Sequence, residues 1–355
     1  MQRNNAIDSV KGFAILLVML GHCIVLNGLH TSDPFLYDMI KSVQMPLFMM
    51  VSGVLAAMKV KITGSGSGMK KIGARAVSYL VPFFSWFVIV HLYVHAKAGM
   101  LSGQLFLKEL KELLFQTDRG LWFLMTLFAA TLCAMVAQTV ADKLCKPGVR
   151  KAVCFTVISV AFYLLFFLQS RSGNTFLSPS LMVQYFPFYL TGYIACGYGE
   201  KMLSALKKAE LFLVAVLFAV FVLMAAFLDL TAPVDGVAAL AAQMLASFLG
   251  TVSLYAIVYR TAEKKTEKRG FLSFAGLYTL EIYVLHFRFA RLLGLSEKGL
   301  ELYSPEGVFW VVLAFTLMSI LTAICIMILR RIPIVSLLLF GKKHLPLWRK
   351  GGQSA

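Results

Sequence analysis

From Ile7 to Leu29 the chain reads IDSVKGFAILLVMLGHCIVLNGL. The stretch is long enough to cross the roughly 30 Å hydrocarbon core of a bilayer as a helix. Yet it carries Asp8 and Lys11 near its start and His22 well inside. Charged or titratable groups at membrane depth are costly and mark functional sites. Lys11 and His22 are eleven residues apart, so on a helix they differ by only about 20° and stand roughly 16 Å apart along the axis. Asp8 lies about 40° to the other side of His22. A single stripe therefore runs from a charged end to an imidazole deep in the apolar run.

The same kind of stretch recurs. Hydropathy and breakers give ten expected spans, at 6–28, 38–58, 76–96, 121–141, 150–168, 182–198, 210–229, 237–259, 272–294 and 307–329. The composition agrees: 59% hydrophobic, only 14% charged, and a mean hydropathy of +0.78 over 355 residues. These features point to an all-α membrane protein, about ten transmembrane helices in one bundle. A net charge of +17 would suggest nucleic acid in a soluble chain. Here no basic stretch is interleaved with aromatics for base stacking, so nucleic acid is not an expected partner.

The basic residues set the orientation. With the N-terminus in the cytoplasm, 25 of the 34 basic residues fall in inside segments and the other nine outside. Every inside loop is then at least as basic as its outside neighbours, as the positive-inside rule requires. Both termini are expected to be cytoplasmic, with residues 1–341 as one transmembrane domain and 342–355 as a basic tail. TGSGSG at 63–68 reads as a flexible linker. LKELKELLF at 107–115 reads as an amphipathic helix, either at the outer interface or as a solvated surface helix. The six cysteines, five of them inside apolar spans, form no disulfide framework. No CxxC and no Cys/His cluster has metal-ligand spacing, and no metal is expected. Asp8 interrupts the basic region a cleavable signal peptide would need, and none is expected.

Several polar residues converge in depth. On continuous helices His22 and His286 would both lie about 21 Å from the inner face, and Gln44 about 9 Å from the outer face. These depths agree in a core of about 30 Å. Each such residue can also serve only to bond one helix to another. Glu281 would sit about 13 Å deep. Tyr283 and His286 are three apart and share a helix face. Pro46 in QMPLFMMVSG (44–53) frees backbone groups mid-span, which suits a cavity or an ordinary kink. Lys70, Lys71 and Arg75 gather at an inner mouth, where they satisfy the positive-inside rule and also suit phosphates. Trp122 in LWFL (121–124) fits an aromatic belt at the outer boundary.

The order of these segments resembles the acyltransferase-3 family of multi-pass membrane acyltransferases. The family's first-span signature is a basic residue, ten residues, then a histidine, and here it reads Lys11 to His22. IDSVKG, LGHC, MPLFMMVSG, LWFL and LEIYVLH follow in the family's order and are most similar to the fucose 4-O-acetylase-like branch. Lysine stands where arginine is usual, and VQMP places Gln44 where that branch often has a histidine. The resemblance implies transfer of an acyl group, usually acetyl, from cytoplasmic acetyl-CoA to a hydroxyl of an extracytoplasmic sugar or surface polysaccharide. It implies a bacterial cytoplasmic membrane. On it, His22 is the catalytic base or the carrier of a covalent acyl group, with Lys11 beside the donor. Arg75, Lys70 and Lys71 would hold the CoA phosphates, and Asp8 would orient Lys11. Gln44, Trp122, Glu281, Tyr283 and His286 would face the acceptor. The rival reading is a secondary transporter or flippase for a sugar or organic acid, with His22, Glu281 and His286 as a proton relay. The paired interrupted spans that such transporters show are not apparent. A third reading is a catalytically idle scaffold for polysaccharide assembly, in which the loss of His22 would be silent.

Overall fold

Apolar runs with no polar periodicity become helices because a helix satisfies every backbone group within its own segment. A computed structural model describes residues 4–29, 34–63, 69–117, 120–198, 211–230, 236–264, 270–295 and 300–342. Five sequence features lie wholly or partly outside them: the TGSGSG linker beyond Thr63, the basic loops at 199–210 and 265–269, most of the loop at 229–235, and the tail from 343 onward. The helices are α1 (Asn5–Leu26), α2 (Phe35–Thr63), α3 (Met69–Lys97), α4 (Gly103–Phe115), α5 (Trp122–Leu144), α6 (Val149–Arg171) and α7 (Pro179–Gly197). They continue with α8 (Leu211–Phe227), α9 (Val237–Glu263), α10 (Phe271–Leu277), α11 (Thr279–Leu285), α12 (Pro305–Leu329) and α13 (Pro333–Phe340). A 3-10 turn, His286–Arg288, follows α11. Among the described residues there is no strand.

Among the described residues seven helices are long and apolar enough to cross a membrane: α1, α2, α3, α5, α6, α9 and α12. The expected spans at 182–198 and 210–229 fall on α7 and on α8, a shorter apolar helix of 17 residues. The expected span at 272–294 is not one helix. It breaks at Tyr278, whose amide turns back to the Ala275 carbonyl (3.0 Å), and tightens into the 3-10 turn at His286. The expected amphipathic helix is α4, with Phe106, Glu109, Leu110 and Leu113 on its covered side.

The described chain forms two compact units, with the boundary inside α2. The first holds residues 4–51 and 211–328. Its central rod is α1, which packs on α9, α10 and α11. Asn4 caps α1 by accepting the Ala6 and Ile7 amides at 2.9 and 3.2 Å. Met19 and Cys23 pack with Ala314 and Met318 of α12, while Ile24 packs with Ile40 of α2. Gly12 and Gly276 let α1 and α10 touch backbone to backbone: a Cβ on Gly276 would collide with the Asp8 carbonyl, and one on Gly12 with that of Leu272. Small residues allow such approach where lipid supplies no hydrophobic drive between helices. By contrast α8 and α12 present Phe212, Leu223, Phe227, Val308 and Phe309 outward.

The second unit holds residues 52–198 and 329–342. In it α5 is mostly buried, between α3 and α6, while α7 packs on both α5 and α6. Gly53 of α2 lies against the Tyr189 carbonyl of α7. A buried polar knot joins three helices: Gln138 accepts from the Tyr193 and Tyr198 hydroxyls (3.0 and 2.6 Å) and donates to Asp142 (2.9 Å), which pairs with Lys151. The outer row of α6, Val153, Val157, Leu164, Leu165 and Leu168, is exposed and apolar, a surface that lipid covers at no cost.

Candidate active site

Because α1 runs unbroken from Asn5 to Leu26, Lys11 and His22 ride on one rod. Lys11 Nζ lies 3.1 Å from Asp8 Oδ1, and both side chains are largely covered. His22, three turns on, is half-buried. Its ring meets that of His286, with centroids 5.3 Å apart and planes tilted by 34°. Phe287 stands edge-on to His22 at 5.3 Å, and Tyr283 lies 6.3 Å from His286. Glu281, on the same short helix α11, is fully buried.

The break in the segment expected at 272–294 delivers His286. Its Nδ1 is 2.8 Å from the Ile282 carbonyl, which also takes the His286 amide as α11 ends. A carbonyl only accepts, so Nδ1 carries the proton and Nε2 keeps its lone pair. That Nε2 is buried and has no hydrogen-bond partner among the described residues. Asn27 ties the following turn back to α1, with Nδ2 donating to the carbonyls of Cys23 (2.8 Å) and Ala290 (2.9 Å). Gln44 of α2 lies against Gly21, the residue before His22. A Cβ at position 21 would come within 2.9 Å of Gln44 Oε1. That oxygen too is buried and unpartnered among the described residues. Buried acceptors are nearly always bonded, so these two open ones, one on the ring beside His22 and one against Gly21, are places for hydrogen-bond donors.

Arg75, Lys71 and Trp122 belong to the second unit. Arg75 Nη1 donates to the Tyr79 hydroxyl at 3.3 Å. Arg75, Lys71 and Lys59 are near enough to feel one another's charge. Lys70 lies in the first turn of α3, with its side chain outside the described set. Trp122 opens α5 and stacks on Tyr185, with centroids 5.1 Å apart. Sequence reasoning missed Lys59 as part of this cation group, because the positive-inside rule already accounted for it. It also missed Gly21 and Phe287, whose only signal is adjacency to His22 or His286, and Asn27, which no spacing marks.

The family model for an acyltransferase domain, Acyl_transf_3, matches residues 4–329. The chain belongs to the acyltransferase-3 family. The match begins at the cap of α1 and ends with the last residue of α12, so it contains every residue described above from Asp8 to His286. Over 92 residues the chain is 36% identical to nodulation protein NolL of Sinorhizobium fredii (strain NBRC 101917 / NGR234), covering 25% of this chain and 24% of NolL. The chain thus spans about a quarter of that relative's length. No solved structure matches it. With its long apolar helices, this member of the acyltransferase-3 family has the makeup of a multi-pass integral membrane protein. The transport reading is not favoured.

Proposed function

We propose that the protein is an O-acetyltransferase of the fucose 4-O-acetylase-like branch. It moves an acetyl group from cytoplasmic acetyl-CoA to a hydroxyl of an extracytoplasmic sugar or surface polysaccharide. It does so from a bacterial cytoplasmic membrane, with ten spans and both termini inside. The observation that carries the reading is the His22–His286 pair, with the unpartnered His286 Nε2 and, against Gly21, the unpartnered Gln44 Oε1, within an acyltransferase-3 domain.

The chemistry follows from the groups present. His22 removes the acceptor hydroxyl's proton, and the oxygen attacks the thioester carbonyl. The C–S bond breaks, and the departing thiolate takes the proton back from His22. In the covalent variant, His22 attacks the thioester first and then yields the acetyl group to the hydroxyl. Either route needs a neutral His22. His286 Nε2 and Gln44 Oε1 accept hydrogen bonds from sugar hydroxyls and orient the attacking one. Tyr283, Glu281 and Trp122 complete the acceptor side. Lys59, Lys70, Lys71 and Arg75 hold the CoA phosphates, and Lys11, set by Asp8, meets the donor beneath His22.

The test is the O-acetyl content of surface glycans in a deletion strain that carries either the native gene or His22→Ala, at matched membrane levels. Acetyl groups absent from both the deletion and the mutant, and restored by the native gene, are the expected result. Acetyl content unchanged by the deletion would remove the acetyl reading, and a fully active His22→Ala would remove His22 from the chemistry.

A further inference from the structure

A second polar cluster lies entirely in the second unit, and the acyl-transfer chemistry does not use it. His91 and His95 are one turn apart near the end of α3, with ring centroids 4.5 Å apart. Glu109 reaches them from α4 with both oxygens: Oε2 is 2.6 Å from His91 Nδ1, and Oε1 is 2.7 Å from His95 Nε2. The three donor atoms lie within 4.8 Å of one another. His91 is buried, and Glu109 is part-exposed, so the cluster has an opening on one side. An apolar wall closes the other side. The Phe106 ring stands edge-on to His91 at 5.1 Å, and Phe87 packs 5.4 Å from Phe106.

We infer that His91, His95 and Glu109 form a binding site for a divalent transition metal of the zinc type, which clamps α4 onto α3. Two imidazole nitrogens and one carboxylate oxygen are the ligand set of an open tetrahedral zinc site, whose fourth position takes water or another donor. Histidines at i and i+4 present their rings on one helix face, as the ligand pair of a metal-binding helix does. Ligands about 2.0–2.1 Å from a tetrahedral metal stand about 3.3 Å from one another. The present N···O separations are shorter by about 0.6–0.7 Å, a gap that small rotations of Glu109 and His95 open. The ion replaces the proton held in each N···O contact, and each neutral ring then keeps its proton on its other nitrogen. His95 Nδ1 has no hydrogen-bond partner among the described residues, so that ring changes tautomer without losing a bond. The apolar wall keeps bulk water off His91 and so favours coordination. The site is independent of the acyl-transfer reading.

The test uses the full-length protein in detergent, purified without a polyhistidine tag and stripped with a chelator. Zn²⁺ is titrated into it by calorimetry. The expected result is one equivalent bound, with affinity at least about tenfold to a hundredfold weaker in Glu109→Gln and in His95→Gln. Zn²⁺ should also raise the thermal midpoint of the native chain and leave those of the two variants in place. Absence of binding to the native chain, or equal binding to all three, overturns the site. The native chain loaded with Co²⁺ supplies a measurement that needs no variant. Visible bands of a four-coordinate nitrogen and oxygen site support the proposal. Their absence, or thiolate charge-transfer bands from a cysteine site, overturns it.

Discussion

Gly276→Ala tests the packing that holds the two imidazoles together. The new Cβ would lie 3.0 Å from the Asp8 Cα and still closer to the Asp8 carbonyl. Both are backbone atoms of α1, so no side chain can rotate away, and α10 must retreat. Overpacking costs about 1–3 kcal/mol, and a stiff obstacle belongs at the upper end. Alanine returns about 1 kcal/mol of helix propensity. The net loss is therefore about 2 kcal/mol. At roughly 2–4 °C per kcal/mol, the thermal midpoint falls by roughly 4–8 °C. Gly73→Ala is the matched control, because nothing lies within 4 Å of a Cβ there. It keeps only the propensity gain, up to about 1 kcal/mol, and its midpoint should hold or rise. Scanning fluorimetry of the detergent-purified proteins reads both. Glycan O-acetylation should also fall in Gly276→Ala, since α10 leads directly into the segment that carries His286. A Gly276→Ala midpoint equal to or above that of Gly73→Ala would show that the α1–α10 contact is not tight, and the reasoning would fail.

Two further expectations concern the site. His286→Phe keeps a ring beside His22 but removes the Nε2 acceptor. The loss of one buried hydrogen bond to substrate, about 1–3 kcal/mol, should lower transfer about tenfold to a hundredfold without unfolding the protein. Undiminished transfer would take His286 out of the acceptor site. On the donor side, Lys11→Ala and Arg75→Ala should each weaken acetyl-CoA binding in a direct binding assay, while Lys11→Arg, which keeps the charge beside Asp8, should not. Equal affinity in all three variants would place the CoA phosphates elsewhere.

Length and hydropathy carried most of the helical outline, and for a physical reason. The helices α8 and α12 are apolar on nearly every side, so their periodicity is uninformative, but a long apolar run has few alternatives to a helix. The break at Tyr278 had no comparable signal. No proline stands between Gly270 and Arg288. The interruption is tertiary: Gly276 is pressed against the Asp8 carbonyl, and the Ile282 carbonyl is shared between the amide and the imidazole of His286. The polar knot around Gln138 was invisible for the same reason, since its members come from α5, α6 and α7.

The candidate site divides along the same line. Lys11 and His22 could be placed on one stripe by counting residues, because α1 is continuous and 1.5 Å per residue holds along it. The depth assigned to His286 came from the same rise through 272–294, and that rise does not apply across a break and a 3-10 turn. The two rings nevertheless stand 5.3 Å apart, because Asn27 anchors Ala290 to the end of α1 and Gly276 holds α10 against its start. Two fixed ends leave the broken segment little freedom in where it presents His286. The same logic hides His91 and His95. Their spacing is plain in HLYVH, but a histidine pair on an apolar helix becomes a ligand pair only when Glu109 of α4 is set against it. The apolar stripe of α4, with Phe106 one turn before Glu109, is what brings that carboxylate there.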